Sequence, residues 1–301
     1  MTISDEIIPV PIGRATRTPL WRRFSKHRAG MVSLSVVVGF TLLGIFSPWI
    51  TPYDPNSGDF MQALQSPSSK HLFGTDALGR DILSRIIDGS GIAVTVALVS
   101  VLIALIIGGL IGVIGGYSGG VVDSLLNRSQ DIIFAFPTLL LAIIIVAILG
   151  PGLLNATFAI GVVYIPRFAR LARSTVLTLK SSEFLDAARI SGVRTPTILV
   201  KHVVPNVMPS LVVLAALSMS NAQLAYASLS FLGLGVGPPQ ADWGGMLAQA
   251  RDFITVAPWM TICSIIPLVL LILAFNVLGD AVRDVLDPRD HTAPRPSATL
   301  V

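Results

Sequence analysis

Charge is scarce in this chain. Only 13% of its 301 residues are Asp, Glu, Lys or Arg, against about 25% in an average soluble domain. Cysteine is nearly missing: Cys263 stands alone, so neither an intrachain disulfide nor a thiolate metal cluster can form. No G-x4-G-K-[S/T] stretch occurs, which excludes ATP hydrolysis by a P-loop in this chain. H-E-x-x-H is absent, and His27, His71, His202 and His291 all fall outside the apolar runs. Without paired aspartates in those runs or a nucleophile–base pair, an intramembrane protease or other membrane enzyme is disfavoured. The same runs hold almost no Asp or Glu. A proton-driven carrier usually needs an intramembrane acid as relay, so energy for any transport must come from elsewhere.

What is abundant is apolar surface: 52% of the residues are hydrophobic and the mean hydropathy is +0.75. A helix needs roughly 20 apolar residues to cross a bilayer core about 30 Å thick. Six stretches meet that length, at about 31–50, 92–114, 132–150, 155–174, 211–229 and 258–278. They are apolar all round and lack alternation, which favours helices over a barrel. The expectation is an all-α membrane protein with six transmembrane helices. With the N-terminus inside, 17 of the 21 Lys and Arg residues fall on the cytoplasmic side, from Arg14 and Arg17 to Arg289 and Arg295. Only Lys70, Arg80, Arg85 and Arg251 fall outside. That asymmetry puts both termini in the cytoplasm. The net charge of +4 therefore reports topology, not nucleic-acid binding. The leader is long and charged, and no A-x-A site follows the first run, so span one is expected to be a retained anchor.

Between the runs, local signals stand out. The first external segment, 51–91, opens with the turn residues Thr51-Pro52-Tyr53-Asp54-Pro55-Asn56-Ser57-Gly58. Near its end Ile82, Leu83, Ile86 and Ile87 share one helical face opposite Arg80, Ser84 and Asp88, which predicts an amphipathic helix on the outer surface. Gly108, Gly112, Gly116 and Gly120, with Gly115 and Gly119, repeat every four residues at the end of span two. Such spacing lets helices approach closely; a gating hinge is the alternative. Gly150-Pro151-Gly152 predicts a tight external turn. Arg167, Arg170 and Arg173 line one helical side at the cytoplasmic boundary, where headgroups or a partner's acidic surface would meet them. Ser218, Ser220, Asn221 and Gln223 interrupt span five, either lining an aqueous path or hydrogen-bonding a neighbouring helix.

The loop at about 175–210 is the most structured of these. Ser181 and Ser182 are placed to cap a helix whose first turn holds Glu183 and Asp186. Ala187 and Ala188 favour helix and keep its face flat. Gly192 is placed to end it in the left-handed conformation. Thr195-Pro196 restarts a helix, with Thr195 as cap, and Pro205 and Pro209 are expected to break it before span five.

Asp186-Ala187-Ala188, Gly192 and His202-Val203-Val204-Pro205 read D-A-A-x3-G-x9-H-x-V-P. This resembles the E-A-A-x3-G-x9-I-x-L-P loop by which permease subunits of ABC importers dock onto their ATPases. Asp186 replaces the Glu, and His202 and Val204 replace Ile and Leu, so either Glu183 or Asp186 is left to make the polar contact. His71 to Arg85, the stretch Ser228–Pro239 with Asp242-Trp243-Gly244, and Phe275–Asp280 with Arg283-Asp284 and Asp287-Pro288-Arg289 are similar to further segments of one family. That family is the C-type permease subunits of dipeptide and oligopeptide ABC importers.

The resemblance implies a type I ABC importer permease core of five helices at about 89–280, containing the coupling loop. An anchor and external segment at 29–88 would precede it, with cytoplasmic tails at 1–28 and 281–301. It implies a bacterial cytoplasmic membrane protein forming half of a path for di- or oligopeptides. Nickel or glutathione import is the alternative within the family, and a secondary carrier the alternative outside it. Implied partners are a homologous B-type permease, two ATPase subunits, an external substrate-binding protein and the lipid bilayer. The chain itself would bind no cofactor or metal, ATP and Mg being used by the ATPases. The coupling residues would be Glu183, Asp186, Ala187, Ala188, Gly192, His202 and Pro205; the pathway candidates are Ser218, Asn221 and Gln223.

Overall fold

The computed structural model describes residues 20–286. Arg14, Arg17, Arg289, Arg295, His291 and the Asp287-Pro288-Arg289 motif lie outside them. A short α1 (Leu20–Phe24) leads to α2 (Arg28–Ile50). His27 caps α2, its Nδ1 accepting from the Gly30 N–H at 3.0 Å. An irregular external segment with one 3-10 turn (Phe60–Gln62) follows, and then α3 (Ile82–Ser118).

The first correction lies here. The amphipathic stretch at 82–88 is not a separate surface helix but the start of α3, an unbroken 37-residue helix about 55 Å long at the usual rise. Asp81 caps it, accepting from the Ser84 N–H at 2.9 Å. Both sides of that stretch are enclosed: Arg80, Asp81, Ser84 and Arg85 are buried together with Ile82 and Ile86. A period-3.6 pattern shows which residues share a face, but not which face water touches.

Beyond α3 come α4 (Gly120–Phe134), α5 (Thr138–Leu149), α6 (Leu153–Lys180), α7 (Glu183–Ile190) and α8 (Thr195–Ile198). A π-turn (Leu199–Val203) joins α8 to α9 (Val204–Phe231), and α10 (Trp243–Ala250) and α11 (Pro258–Leu286) complete the described chain. Four helical runs are long and apolar enough to cross a membrane: α2, α3, the α8–α9 run and α11. α4 and α5 make a fifth if counted as one span.

The expected run at 132–150 is not straight. It bends by 91° between α4 and α5, at Pro137, which supplies no N–H to continue the first helix. α6, the expected span 155–174, is not among the membrane-capable helices, because Asn155, Arg167, Arg170 and Arg173 dilute its apolar run. Pro205 and Pro209 do not break the chain before span five. Pro205 sits in the first turn of α9 and Pro209 inside it, and the wide π-turn ahead, closed by the Val204 N–H on the Leu199 carbonyl, keeps the run continuous.

α3 is the central post, and its pairing with α6 is the most extensive helix contact among the described residues. The spaced glycines make the seam. A Cβ on Gly108 would stand 2.5 Å from the Ile165 carbonyl oxygen, and one on Gly112 2.3 Å from that of Ala169. Gly116 faces Val176 and Arg173 of the same helix. The glycines thus pack, as one of the two sequence alternatives held, and Gly119 at φ +68° ends α3. α2 joins the other side through Gly44 on Gly91, where an added Cβ would lie 2.3 Å from the facing Cα. One apolar core gathers around Phe168, Tyr164, Leu211 and Tyr226, between α3, α5, α6 and α9. A second gathers around Trp243, Ile82, Met260 and Phe275, between α3, α10 and α11.

Gly112→Ala is expected to lower stability by about 1–3 kcal/mol, because rigid backbone stands where the methyl must go. Gly39→Ala, with nothing within 4 Å, is expected to leave it unchanged. Thermal unfolding of both variants in detergent checks the pair.

Candidate functional site

α7 lies in the connection between α6 and the α8–α9 run. It is half anchored: Leu185 is 1% exposed, while Phe184 is 45% and Ile190 87% exposed. Ala187 is exposed and Ala188 packs on the core. Gly192 takes φ +73°, the left-handed geometry expected of it. The Val193 N–H donates to the Ala188 carbonyl at 3.2 Å and the Gly192 N–H to that of Arg189 at 3.0 Å, the Schellman pair.

The start of the helix differs from expectation. Ser182 occupies the cap position, but its hydroxyl turns back to the Leu179 carbonyl and leaves the first amides of α7 uncapped by a side chain. Likewise Arg194, not Thr195, precedes α8, and Thr195 is its first residue.

The loop acids are not equivalent. Asp186 accepts from Arg189 at 2.8 Å, whereas Glu183 is exposed. His202 is half-buried and Pro205 exposed, one turn into the helix that leaves the loop. Glu183, Asp186, Ala187 and Gly192 are thus all exposed along α7 and its cap, while His202 stands on the π-turn and Pro205 on α9.

The three cytoplasmic-boundary arginines find partners inside the chain. Arg173 grips Asp123 of α4 through Nε and Nη2, both at 2.6 Å. Arg170 reaches Asp131 at 3.0 Å and lies 3.9 Å above the Phe134 ring. Arg167 lies over Tyr164. Two of the three are thus ties between α6 and α4 and not free headgroup ligands, because the α4–α5 bend brings α4 alongside α6.

In α9, Ser218 and Gln223 are buried while Asn221 is exposed, so the three pathway candidates do not share one face. The Gln223 Oε1 has no hydrogen-bond partner among the described residues. Ser220 donates to Asn276 of α11 at 2.7 Å, an interhelical hydrogen bond.

The segment between α2 and α3 and the start of α3 hold a buried ionic cluster with little warning in the sequence. Asp76 accepts from Arg80 Nε at 2.7 Å and from the Leu78 and Arg80 amides. Gly79, at φ +72°, makes this tight turn possible, and a Cβ there would stand 1.8 Å from the Asp59 carbonyl oxygen. Arg80 also donates to Gln249 of α10 at 3.0 Å. Arg85 donates to the carbonyls of Pro55 at 2.7 Å and Pro239 at 3.2 Å. These two arginines stitch the first external segment to the last. His71 lies between Asp81 and Gln62, at 2.9 and 3.1 Å. Trp243 is buried, donates to the Ile86 carbonyl at 3.1 Å and meets Phe40 edge-on.

Asp242 caps α10 and accepts from the Ser230 hydroxyl and the Gly245 N–H. Burial pushes its carboxyl up to about 6, against the lowering pull of the Gly245 and Gly244 amides and of Arg85. Because the folded value lies above the ordinary one, the proton favours the folded cap. That contribution is fully present below about 3.8 and lost as pH rises through about 6. Asp59 acts with the opposite sign, held low first by the Gln62 side chain and then by the Met61 amide. The melting temperature in detergent is therefore expected to fall less between pH 5 and 7 in Asp242→Asn than in the parent, with the difference between the two curves centred near pH 6.

The sequence reading missed Tyr117, whose ring near the end of α3 takes both Lys180 and Arg189. A cation-rich helix end beside an aromatic was the available signal. It also missed the Asp76–Arg80–Arg85 cluster, for which the only hint was charge in a segment otherwise built for turns.

Residues 104–290 match the family described as the binding-protein-dependent transport system inner membrane component. Residues 19–67 match the N-terminal TM domain of oligopeptide transport permease C. The chain is 41% identical over 277 residues to a glutathione transport system permease protein of Shigella dysenteriae, covering 91% of each chain. It is 41% identical over 285 residues to a dipeptide transport system permease protein of Alkalihalophilus pseudofirmus, covering 93% of this chain and 94% of the relative. Its fold is similar to that of a chain in an inward-facing structure of the MetNI methionine ABC transporter, with a TM-score of 0.56 and 20% identity over 68% of this chain and 97% of that one. The similarity runs along nearly the whole chain, which belongs to the binding-protein-dependent family of ABC importer permeases.

Proposed function

We propose that this chain forms half of the translocation path of an ATP-driven importer for short peptides, with α7 as its contact to an ATPase. The observation that carries the ATPase contact is the loop geometry. An eight-residue helix is pinned by Leu185 and by its Gly192 cap, and it holds Phe184, Ala187 and Ile190 outward. Such a surface is flat and apolar at the centre with an acid, Glu183, at its edge. That composition suits seating in a cleft of a soluble subunit. Glu183 is the better placed of the two acids to meet that subunit, since Asp186 is engaged by Arg189.

The partners are a homologous permease, two ATPase subunits and an external binding protein, with ATP and Mg at the ATPases. The body at about 89–280 forms the permease domain, although its first boundary falls inside α3 and its last inside α11. Six crossings place both termini in the cytoplasm: α6 completes the set by packing its apolar half against α3, and its arginines lie at the inner surface. The names of the dipeptide and glutathione permeases it resembles support a peptide cargo, since glutathione is itself a tripeptide. Within the path, Asn221 is the polar α9 side chain left exposed.

Extraction in mild detergent through a tag on this chain, followed by mass spectrometry, is expected to recover a second permease and ATPase subunits. Recovery of this chain alone, transporting glutathione or a dipeptide unaided in liposomes, would overturn the reading in favour of a carrier. Gly192→Leu is expected to insert normally yet lose most transport, since a branched side chain held at positive φ costs about 1–3 kcal/mol and releases the α7 cap. Full transport by that variant would refute the role given to α7.

A further inference from the structure

The lower end of α3 carries a contact that neither helix packing nor ATPase docking uses. Tyr117 is half-buried against the main core, two residues before the Gly119 cap. Its ring takes two cations from different elements: Lys180 Nζ at 5.8 Å and the Arg189 guanidinium at 5.6 Å from the centroid. Lys180 also donates to the Tyr117 carbonyl at 2.8 Å, where the negative end of the α3 dipole favours a cation. Arg189 in turn is oriented by Asp186 at 2.8 Å. Asp186, Arg189, Tyr117 and Lys180 thus form one chain of contacts running from the D-A-A loop to the foot of the central helix.

Connectivity gives this chain its importance. α7 follows α6 after two residues, so α6 receives any displacement of α7 through the backbone. α3 has no such covalent link to α7. A cation held over an aromatic face is directional enough to move with its partner and, at a half-exposed site, weak enough to be remade.

We infer that Tyr117 is a positioning residue that passes displacement of α7 to the lower end of α3 through its ring, with Arg189 as the carrier on the α7 side. This rests on the reading that α7 contacts an ATPase. It adds that the loop acid Asp186 acts inward, through Arg189.

The test is hydrogen–deuterium exchange on the full complex, copurified through a tag on this chain, with and without Mg-AMP-PNP. In the parent complex the nucleotide is expected to change exchange at both 183–190 and 108–118. Tyr117→Ala and Arg189→Ala are each expected to keep the change at 183–190 and to cut that at 108–118 by at least about two-fold, the size a half-exposed cation–π contact supports. Tyr117→Phe, which keeps the ring face and loses only the hydroxyl contact to Arg189, is expected to keep the larger part of the response at 108–118. Unchanged responses in both alanine variants would overturn the relay. Loss of both responses together, or loss of the ATPase from either variant, would make the pair a docking support and overturn it as well. Absence of an ATPase from the parent complex would remove the docking reading and the relay with it, and that outcome is visible before any variant is made.

Discussion

Close approach between α3 and α6 is the constraint on which the other contacts depend. In a bilayer the lipid tails are as apolar as the side chains, so helices gain little from hiding leucine from their surroundings. They gain from dispersion, which falls away within an ångström of lost contact. Gly108, Gly112 and Gly116 remove the side chains that would hold the backbones apart. With α3 and α6 locked, the bend at Pro137 can lay α4 along α6, where Asp123 and Asp131 meet Arg173 and Arg170. The same seam brings Tyr117 and Lys180 together at the C-terminal ends of α3 and α6.

The opposite end of α3 is held in a different way. Arg80 and Arg85 are about as buried as the apolar core, at 3% and 2% exposure. Removing such charges from water costs several kcal/mol each unless partners replace the lost hydration. Asp76, Gln249 and the carbonyls of Pro55 and Pro239 supply most of that replacement. A cluster of this kind contributes little net stability but strongly disfavours other arrangements, since displacing one member leaves a buried charge unpaired. It fixes two segments, separated by more than 150 residues in sequence, in one register above α3. Trp243 and Phe40 extend that register to α2.

The two ends therefore differ in rigidity for a physical reason. The end at Asp76, Arg80 and Arg85 is closed by buried charge and by apolar packing. The α7 end is closed by a part-buried Arg173–Asp123 pair and by more exposed ion pairs and cation–π contacts, the latter each worth about 1 kcal/mol or less. An element that must respond to a partner belongs at the weaker end, and α7 is there.

Period and composition were enough to give helices, a membrane location, the glycine seam and the left-handed cap at Gly192, because each is a local property of spacing or backbone conformation. The D-A-A-x3-G spacing made the loop legible for the same reason: its geometry is set within ten residues. Local signals failed wherever a distant partner chose the outcome. The polar face of 80–88 looked like a solvated surface, and only the fold shows that Asp76, Pro55 and Pro239 wait to receive it. Arg170 and Arg173 looked free, because their acids lie about 40 and 50 residues away. Pro205 and Pro209 looked like breaks, but a π-turn ahead of them keeps the helix running. The amino-acid order by itself determined which segments are helical and apolar. Which polar groups are buried, and against what, was decided by the tertiary structure, because desolvation is offset only by partners that folding brings into reach.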